Sequence, residues 1–252
     1  MRTDRLLKFT AKALLPLLFW GGVLWLIALL LDKPFLLPTP PAILSALWGL
    51  CGTGGFWGAI ALSLLRVLGG LAIGVVAGML IGILVHLFPA AAILLRPLLT
   101  VVRSTPVASF VILVWSFTGS AALPFVIAAL MVAPIVADEL ATGLATTDRA
   151  LDEMTALFGF SPYRRFIVYR LPAALPYLFG AVTTSVGFAW KAGVAAEILA
   201  ATARSVGREI YFSKLTLAID ELWAWTVAVV ILSLILELIV KKTLRFIRRR
   251  SL

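Results

Sequence analysis

Charge is scarce in this sequence. Asp, Glu, Lys and Arg make up 13% of its 252 residues, about half of the ~25% typical of a soluble domain. That shortage removes the polar shell a soluble fold needs, and 62% of the residues are hydrophobic; most of the surface must face lipid. Cys51 is the single cysteine, which excludes an internal disulfide and a cysteine-based metal site. With one histidine, His86, no zinc cluster can form. No glycine-rich GxxxxGK loop occurs, so the chain lacks a nucleotide-cradling segment and is expected to bind no cofactor itself. HExxH and GxSxG are missing as well, and nothing suggests an enzyme within the membrane. Acidic residues are few, giving a net charge of +10. In a soluble protein that balance would point to nucleic acid. Here the basic residues cluster at the ends of apolar runs, as membrane proteins place them, and no nucleic-acid partner is expected.

What the chain has is long apolar runs. A helix needs about 20 apolar residues to cross the hydrocarbon layer, and lipid requires every backbone group to be satisfied within the segment. The runs predict an all-α polytopic bundle of six spans in a single domain: residues 13–31, 57–87, 91–117, 123–137, 171–200 and 222–240. The first run ends in Asp32, Lys33 and Pro34 rather than in small residues, so it reads as a retained helix, not a signal peptide. Orientation follows from Lys and Arg. Arg2, Arg5, Lys8, Lys12, Arg96, Arg149, Arg164, Arg165, Arg170, Lys241, Lys242, Arg245, Arg248, Arg249 and Arg250 fall on one side if six spans alternate. The other side receives only Lys33, Arg204, Arg208 and Lys214. Both termini are therefore expected in the cytoplasm. Trp48, Trp57, Trp115, Trp223 and Trp225 lie near the expected outer ends, as an aromatic belt would. Between the first two spans, prolines 38, 40 and 41 open a short outer helix over 41–50, with Thr39 as its cap.

Gly70, Gly74, Gly78 and Gly82 recur every four residues. On a helix they form one face without side chains, where another helix can approach closely. The partner is either a helix of the same subunit or one of a second subunit.

The connection over 148–170 is long for a compact bundle. Leu151, Met154, Leu157 and Phe158 share one helical face, opposite Asp148, Arg149, Asp152 and Glu153. Gly159 stops this helix as a C-terminal cap. Ser161-Pro162 starts a second one, with Ser161 as cap. Such an apolar ridge suits docking of a soluble partner, and equally a helix lying on lipid.

The segment also resembles the EAA motif of ABC importer permeases, E-A-A-x3-G-x9-I-x-L-P. Glu153, Gly159, Leu171 and Pro172 hold matching places, while Met154, Thr155 and Tyr169 depart from it. Ser63-Leu64-Leu65-Arg66-Val67 is similar to the S-L-x-R-V opening of the nitrate, sulfonate and taurine permease branch. Arg103-Ser104-Thr105-Pro106, Ala189-Trp190 and Ala196-Glu197 also fit that branch. Thr118-Gly119-Ser120-Ala121 and the stretch 208–225 depart from it. The resemblance implies a type I, MetI-like permease bundle of the bacterial inner membrane. It implies coupling helices that present Asp152, Glu153, Met154, Leu157, Phe158 and Gly159 to cytoplasmic ATPase subunits, which bind the ATP and Mg. A second permease copy and an extracytoplasmic solute-binding protein complete the assembly it implies.

Ionisable groups inside a membrane are costly and usually face a cavity or a partner. Arg66, Arg103, Lys191 and Glu197, with Ser104 and Thr105, outline a candidate translocation pathway, whose cations favour an anion. Alternatively Glu197 pairs with one of these cations, or the cations reach the interface. Two other classes compete. An ion-driven secondary transporter should show internal repeats and midplane acids, which are not evident. A membrane scaffold would not need the spacing of the 148–172 segment.

Overall fold

The computed structural model describes the backbone of residues 2–251 and the side chains of 15, 16, 18–148 and 150–247. The charges at Arg2, Arg5, Lys8, Lys12, Arg149, Arg248, Arg249 and Arg250, used above for orientation, belong to side chains outside the described set. Among the described residues there is no strand. Ten α-helices follow in order: α1 (Arg2–Leu31), α2 (Pro40–Cys51), α3 (Gly54–Leu87), α4 (Pro89–Ser104), α5 (Val107–Ala145), α6 (Arg149–Leu157), α7 (Pro162–Arg165), α8 (Leu171–Leu199), α9 (Val206–Leu215) and α10 (Ile219–Ser251). A π-helical turn, Phe166–Arg170, joins α7 to α8. The chain divides into two compact units, residues 1–57 with 209–229 and residues 58–208 with 230–252.

Among the described residues, four helical stretches are long and apolar enough to cross a bilayer: Gly54–Leu87, Val107–Ala145, Pro162–Leu199 and Ile219–Ile247. The six expected spans are not all separate elements of this kind. Spans three and four divide within α5, which is two helices joined across a kink at Gly119, at the non-helical φ 71° and ψ 169°. That region is open essentially to glycine alone, so the residue bends α5 without a loop. Pro106 lies inside the third expected span, and the helix breaks there, between α4 and α5. Thr105 is extended, at φ −78° and ψ 132°, as a residue before proline must be. The first expected span lies in α1, whose described apolar part is the shorter Leu18–Leu31.

In the first unit, Pro40 and Pro41 occupy the first turn of α2, where a missing N–H costs nothing. Thr39 precedes it in extended geometry, but its side chain makes no capping bond. Thr53 turns the chain into α3: its hydroxyl donates to the Leu50 carbonyl at 2.8 Å and accepts from the Phe56 amide at 3.3 Å. Trp225 is buried and stacks on Phe56 with centroids 4.9 Å apart. It is a core residue rather than part of an aromatic belt.

The second unit is built on α5. One face of α5 packs along α8, where Val111, Leu123, Ile127, Ala192, Ala196 and Ala200 form a buried cluster. Its other contact is the glycine ladder of α3. A Cβ on Gly74 would lie 2.7 Å from Val132 Cβ; on Gly78, 2.6 Å from the Ala133 carbonyl; on Gly82, 2.7 Å from the Ala137 carbonyl. Gly70 abuts Phe125 and Ala128 in the same way. The ladder therefore serves packing within the chain. Lipid gives helices no hydrophobic reason to associate, so close backbone approach supplies the attraction.

Candidate functional site

The segment after α5 folds as a two-helix elbow. Asp148 caps α6, its carboxylate accepting from the Ala150 amide at 2.8 Å. Sequence reading placed Asp148 on the polar face and missed this cap, although Asp just before a helix is its usual signature. Gly159 stops α6 as expected, at φ +75°. Its amide donates to the Ala156 carbonyl at 3.0 Å, and the Phe160 amide reaches back to Thr155 at 3.1 Å. Ser161 caps α7 by accepting from the Arg164 amide at 3.3 Å. Helix then continues into α8, and Leu171 donates to the Phe166 carbonyl across the π turn. Pro172 follows directly; it has no N–H to give to the preceding turn.

Ion pairs lock the elbow onto the base of α8. Arg170 donates to both oxygens of Asp152, at 3.0 and 2.7 Å, and Arg165 stands 3.6 Å away. The hydrogen bond from Arg170 holds the Asp152 carboxyl below the usual carboxylate range, with the nearby positive charges adding to it against some desolvation. Asp152 is thus a brace within the chain. The Tyr169 hydroxyl donates to the Asp148 carbonyl at 3.0 Å. Thr155 is buried and bonds the Asp152 carbonyl of its own helix at 2.8 Å. Two of the positions that depart from the EAA pattern thereby stiffen the elbow. The expected apolar ridge is open: Leu157 is 88% exposed, Phe158 74% and Met154 44%, and Tyr163 of α7 is open as well.

The charges of the candidate pathway separate into three sites. Glu197 is completely buried near the end of α8. Its Oε2 accepts from Ser63 Oγ at 2.7 Å and from the Gly207 amide at 3.2 Å, and Arg66 lies 3.6 Å from Oε1. Arg66 also donates to the Ala203 carbonyl at 3.0 Å and to that of Arg204 at 3.4 Å. Ser63 in turn accepts from the Val206 amide at 3.0 Å. A Cβ on Gly207 would collide with Glu197, so only glycine brings that backbone close enough. The cluster ties α3, α8 and the 203–207 turn together. The pairing alternative therefore describes Arg66 and Glu197, and Glu197 has no face open to a solute. From sequence Ser63 stood only as the first residue of the motif shared with Arg66, not as a partner of Glu197, although its spacing of three from Arg66 puts both on one helical face.

Arg103 pairs with Asp138 of α5. Ser104 and Thr105 turn their hydroxyls to the Val101 carbonyl, Thr105 at 2.7 Å. Asp138 was missed; it lies 35 residues from Arg103, and its one signal is an acid at the end of an apolar run. Lys191 is exposed and belongs to neither pair, although Glu197 follows it by six residues on α8. It lines a cleft of about 290 Å³ with Thr183, Thr184, Gly187, Phe188, Glu237 and Lys241. Glu237 pairs with Lys241, one turn further along α10.

Residues 70–251 match the family described as binding-protein-dependent transport system inner membrane component. The chain is 29% identical over 236 residues to the taurine transport system permease protein of Escherichia coli (strain K12), covering 90% of this chain and 84% of that protein. It is 28% identical over 168 residues to the putative aliphatic sulfonates transport permease protein of the same organism, covering 66% and 64%. Against the bicarbonate transport system permease protein of Synechococcus elongatus, identity is 34% over 146 residues, with 57% and 52% covered. Among solved structures, a bacterial ABC transporter involved in the import of the acidic polysaccharide alginate aligns with 98% of this chain and 99% of its own. That alignment has a TM-score of 0.66 at 16% identity.

Proposed function

This chain belongs to the binding-protein-dependent transport system inner membrane components, the permease subunits of ATP-binding-cassette importers, and on that premise we propose that its elbow is where the ATPase subunits dock. It is a multi-pass membrane transport component, not an enzyme. The open ridge of Leu157, Phe158, Met154 and Tyr163 carries the proposal. Apolar side chains of this size on a short capped helix, braced by Asp152 and Arg170, suit insertion into a groove of a soluble partner. Glu153 and Gly159 complete the contact.

In this reading the elbow and both termini face the cytoplasm, and the partner ATPases bind the ATP and Mg. Two copies of the chain enclose the pathway, and an extracytoplasmic binding protein delivers solute to the opposite face. ATP drives the cycle by binding one arrangement of the assembly more tightly than the other. Closure of the ATPases draws the elbows together, and the spans rock so that the pathway opens on alternate sides. The solute is a small anion of the sulfonate, nitrate or bicarbonate kind. The names of the relatives support this class.

Co-purification from the native membrane tests the docking. Leu157→Asp and Phe158→Ser change exposed side chains, so the folded chain should persist while the ATPase subunits are lost. Retention of the ATPases by both variants would overturn the assignment. ATP-independent transport by the purified chain would favour a secondary transporter instead.

A further inference from the structure

Of the three cations that outline the candidate pathway, two are neutralised. Arg66 faces Glu197 and two carbonyls, and Arg103 faces Asp138. Lys191 has no hydrogen-bond or ion-pair partner among the described residues. It belongs to a stripe of α8 that is also unusual in composition. Gly180, Thr184, Phe188 and Lys191 are exposed in succession at helical spacing, with Gly187 and Thr183 beside them. Hydrocarbon would select leucine, isoleucine and valine there, and a bare ammonium in lipid is costly. Small and polar residues with one free charge mark a face met by water or solute.

The cleft on this face holds Lys191, Lys241 and Glu237. Glu237 is committed to Lys241, so the cleft carries one uncompensated positive charge. At roughly 30 Å³ per water, its volume of about 290 Å³ admits an anion of a few heavy atoms together with its water. Thr184 adds a hydroxyl, which can donate to an oxyanion.

We propose that Lys191, with Thr184 beside it, is the point on the pathway that receives a small oxyanion such as a sulfonate. The ammonium supplies a compact charge without the fixed fork of a guanidinium. It can therefore hold an anion and release it without matching one geometry. This rests on the permease reading, and it narrows the anion-contacting cations to one residue.

The single native cysteine makes a direct test possible. Cys51→Ser combined with Thr184→Cys places one thiol in the cleft. In membranes holding the full assembly, that thiol is treated with sulfonatoethyl methanethiosulfonate, an anion, or with its trimethylammonioethyl counterpart, a cation. The expected result is a preference for the anion by about fivefold over the ratio on a free thiol, the order of an ion–ion attraction in a partly wet cleft. Lys191→Gln abolishes the preference and Lys191→Arg retains it; both change an exposed side chain. No reaction with either reagent, or a preference that survives Lys191→Gln, overturns the proposal. Neither result touches the importer reading, which fails only if the ATPases do not depend on the elbow.

Discussion

Adding one methyl group to the seam between α3 and α5 gives a test whose sign is set by geometry. A Cβ on Gly78 would sit 2.6 Å from the Ala133 carbonyl and 2.7 Å from Val136 Cβ. Carbon atoms in good contact lie about 3.5–4.0 Å apart, so Gly78→Ala forces the two helices roughly 1 Å apart. Gaps of about that size forfeit a quarter to a half of each contact along the seam, and overpacking of this kind costs about 1–3 kcal/mol. Alanine is the better helix former by about 1 kcal/mol. The balance is a net loss of about 1–2 kcal/mol at the upper end of the packing cost. Gly180 and Gly187 on α8 have nothing within 4 Å of the same position. Alanine at either should be neutral or stabilising by up to about 1 kcal/mol. The seam opens only once, so Gly74→Ala with Gly78→Ala should cost less than the sum of the two. Melting of the detergent-solubilised protein, followed by size-exclusion chromatography after heating, reads all of these variants. If Gly78→Ala melts at or above the parent while Gly187→Ala melts below it, the ladder does not hold these helices together.

Glu197→Ala leaves Arg66, Ser63 and the Gly207 amide without their acceptor and should destabilise by about 3 kcal/mol, the low end for breaking a buried pair. Glu197→Gln keeps one acceptor oxygen and should cost less; an alanine variant that melts with the parent would sink the argument. Gly159→Ala places a side chain at φ +75° and should cost about 1 kcal/mol locally. Faster hydrogen exchange at the Gly159 and Phe160 amides is the readout, and unchanged exchange would count against it. The Asp152 carboxyl titrates below its ordinary range, so its contribution is complete above about pH 4 and is lost as pH falls through the lowered value. Exchange protection of the elbow should stay flat from neutral pH to about pH 5. Asp152→Asn should remove the acid transition at a cost under about 1 kcal/mol. A loss of protection already at pH 6 would contradict the pairing.

Local signals were legible in the residue order. Gly159, Ser161 and Pro162 announce the elbow because each cap acts within a few positions. The four-residue rhythm of the ladder announces a close contact. Its partner was not legible, since nothing in residues 70–82 says that Val132 and Val136 lie opposite. The same limit hid Asp138 from Arg103 and Ser63 from Glu197, which are 134 residues apart. Gly119 divides spans three and four as their separation in the sequence implies, but as a kink and not a loop, because one residue at positive φ is enough to turn the helix axis. The π turn had no signal beyond Pro172. Trp225 looked interfacial from its place in the run, but stacking on Phe56 decides its burial.

The stretch Pro162–Leu199 is helical over 38 residues, with one π-helical turn at 166–170, about 57 Å long at 1.5 Å per residue. One end is bolted to the elbow through Arg170, and the other carries the carboxylate that clasps the 203–207 turn. A stiff shaft anchored at both ends cannot be displaced at its foot alone. Any tug on Leu157 and Phe158 must reappear at the far tip, unless the widened turn at 166–170 gives way first.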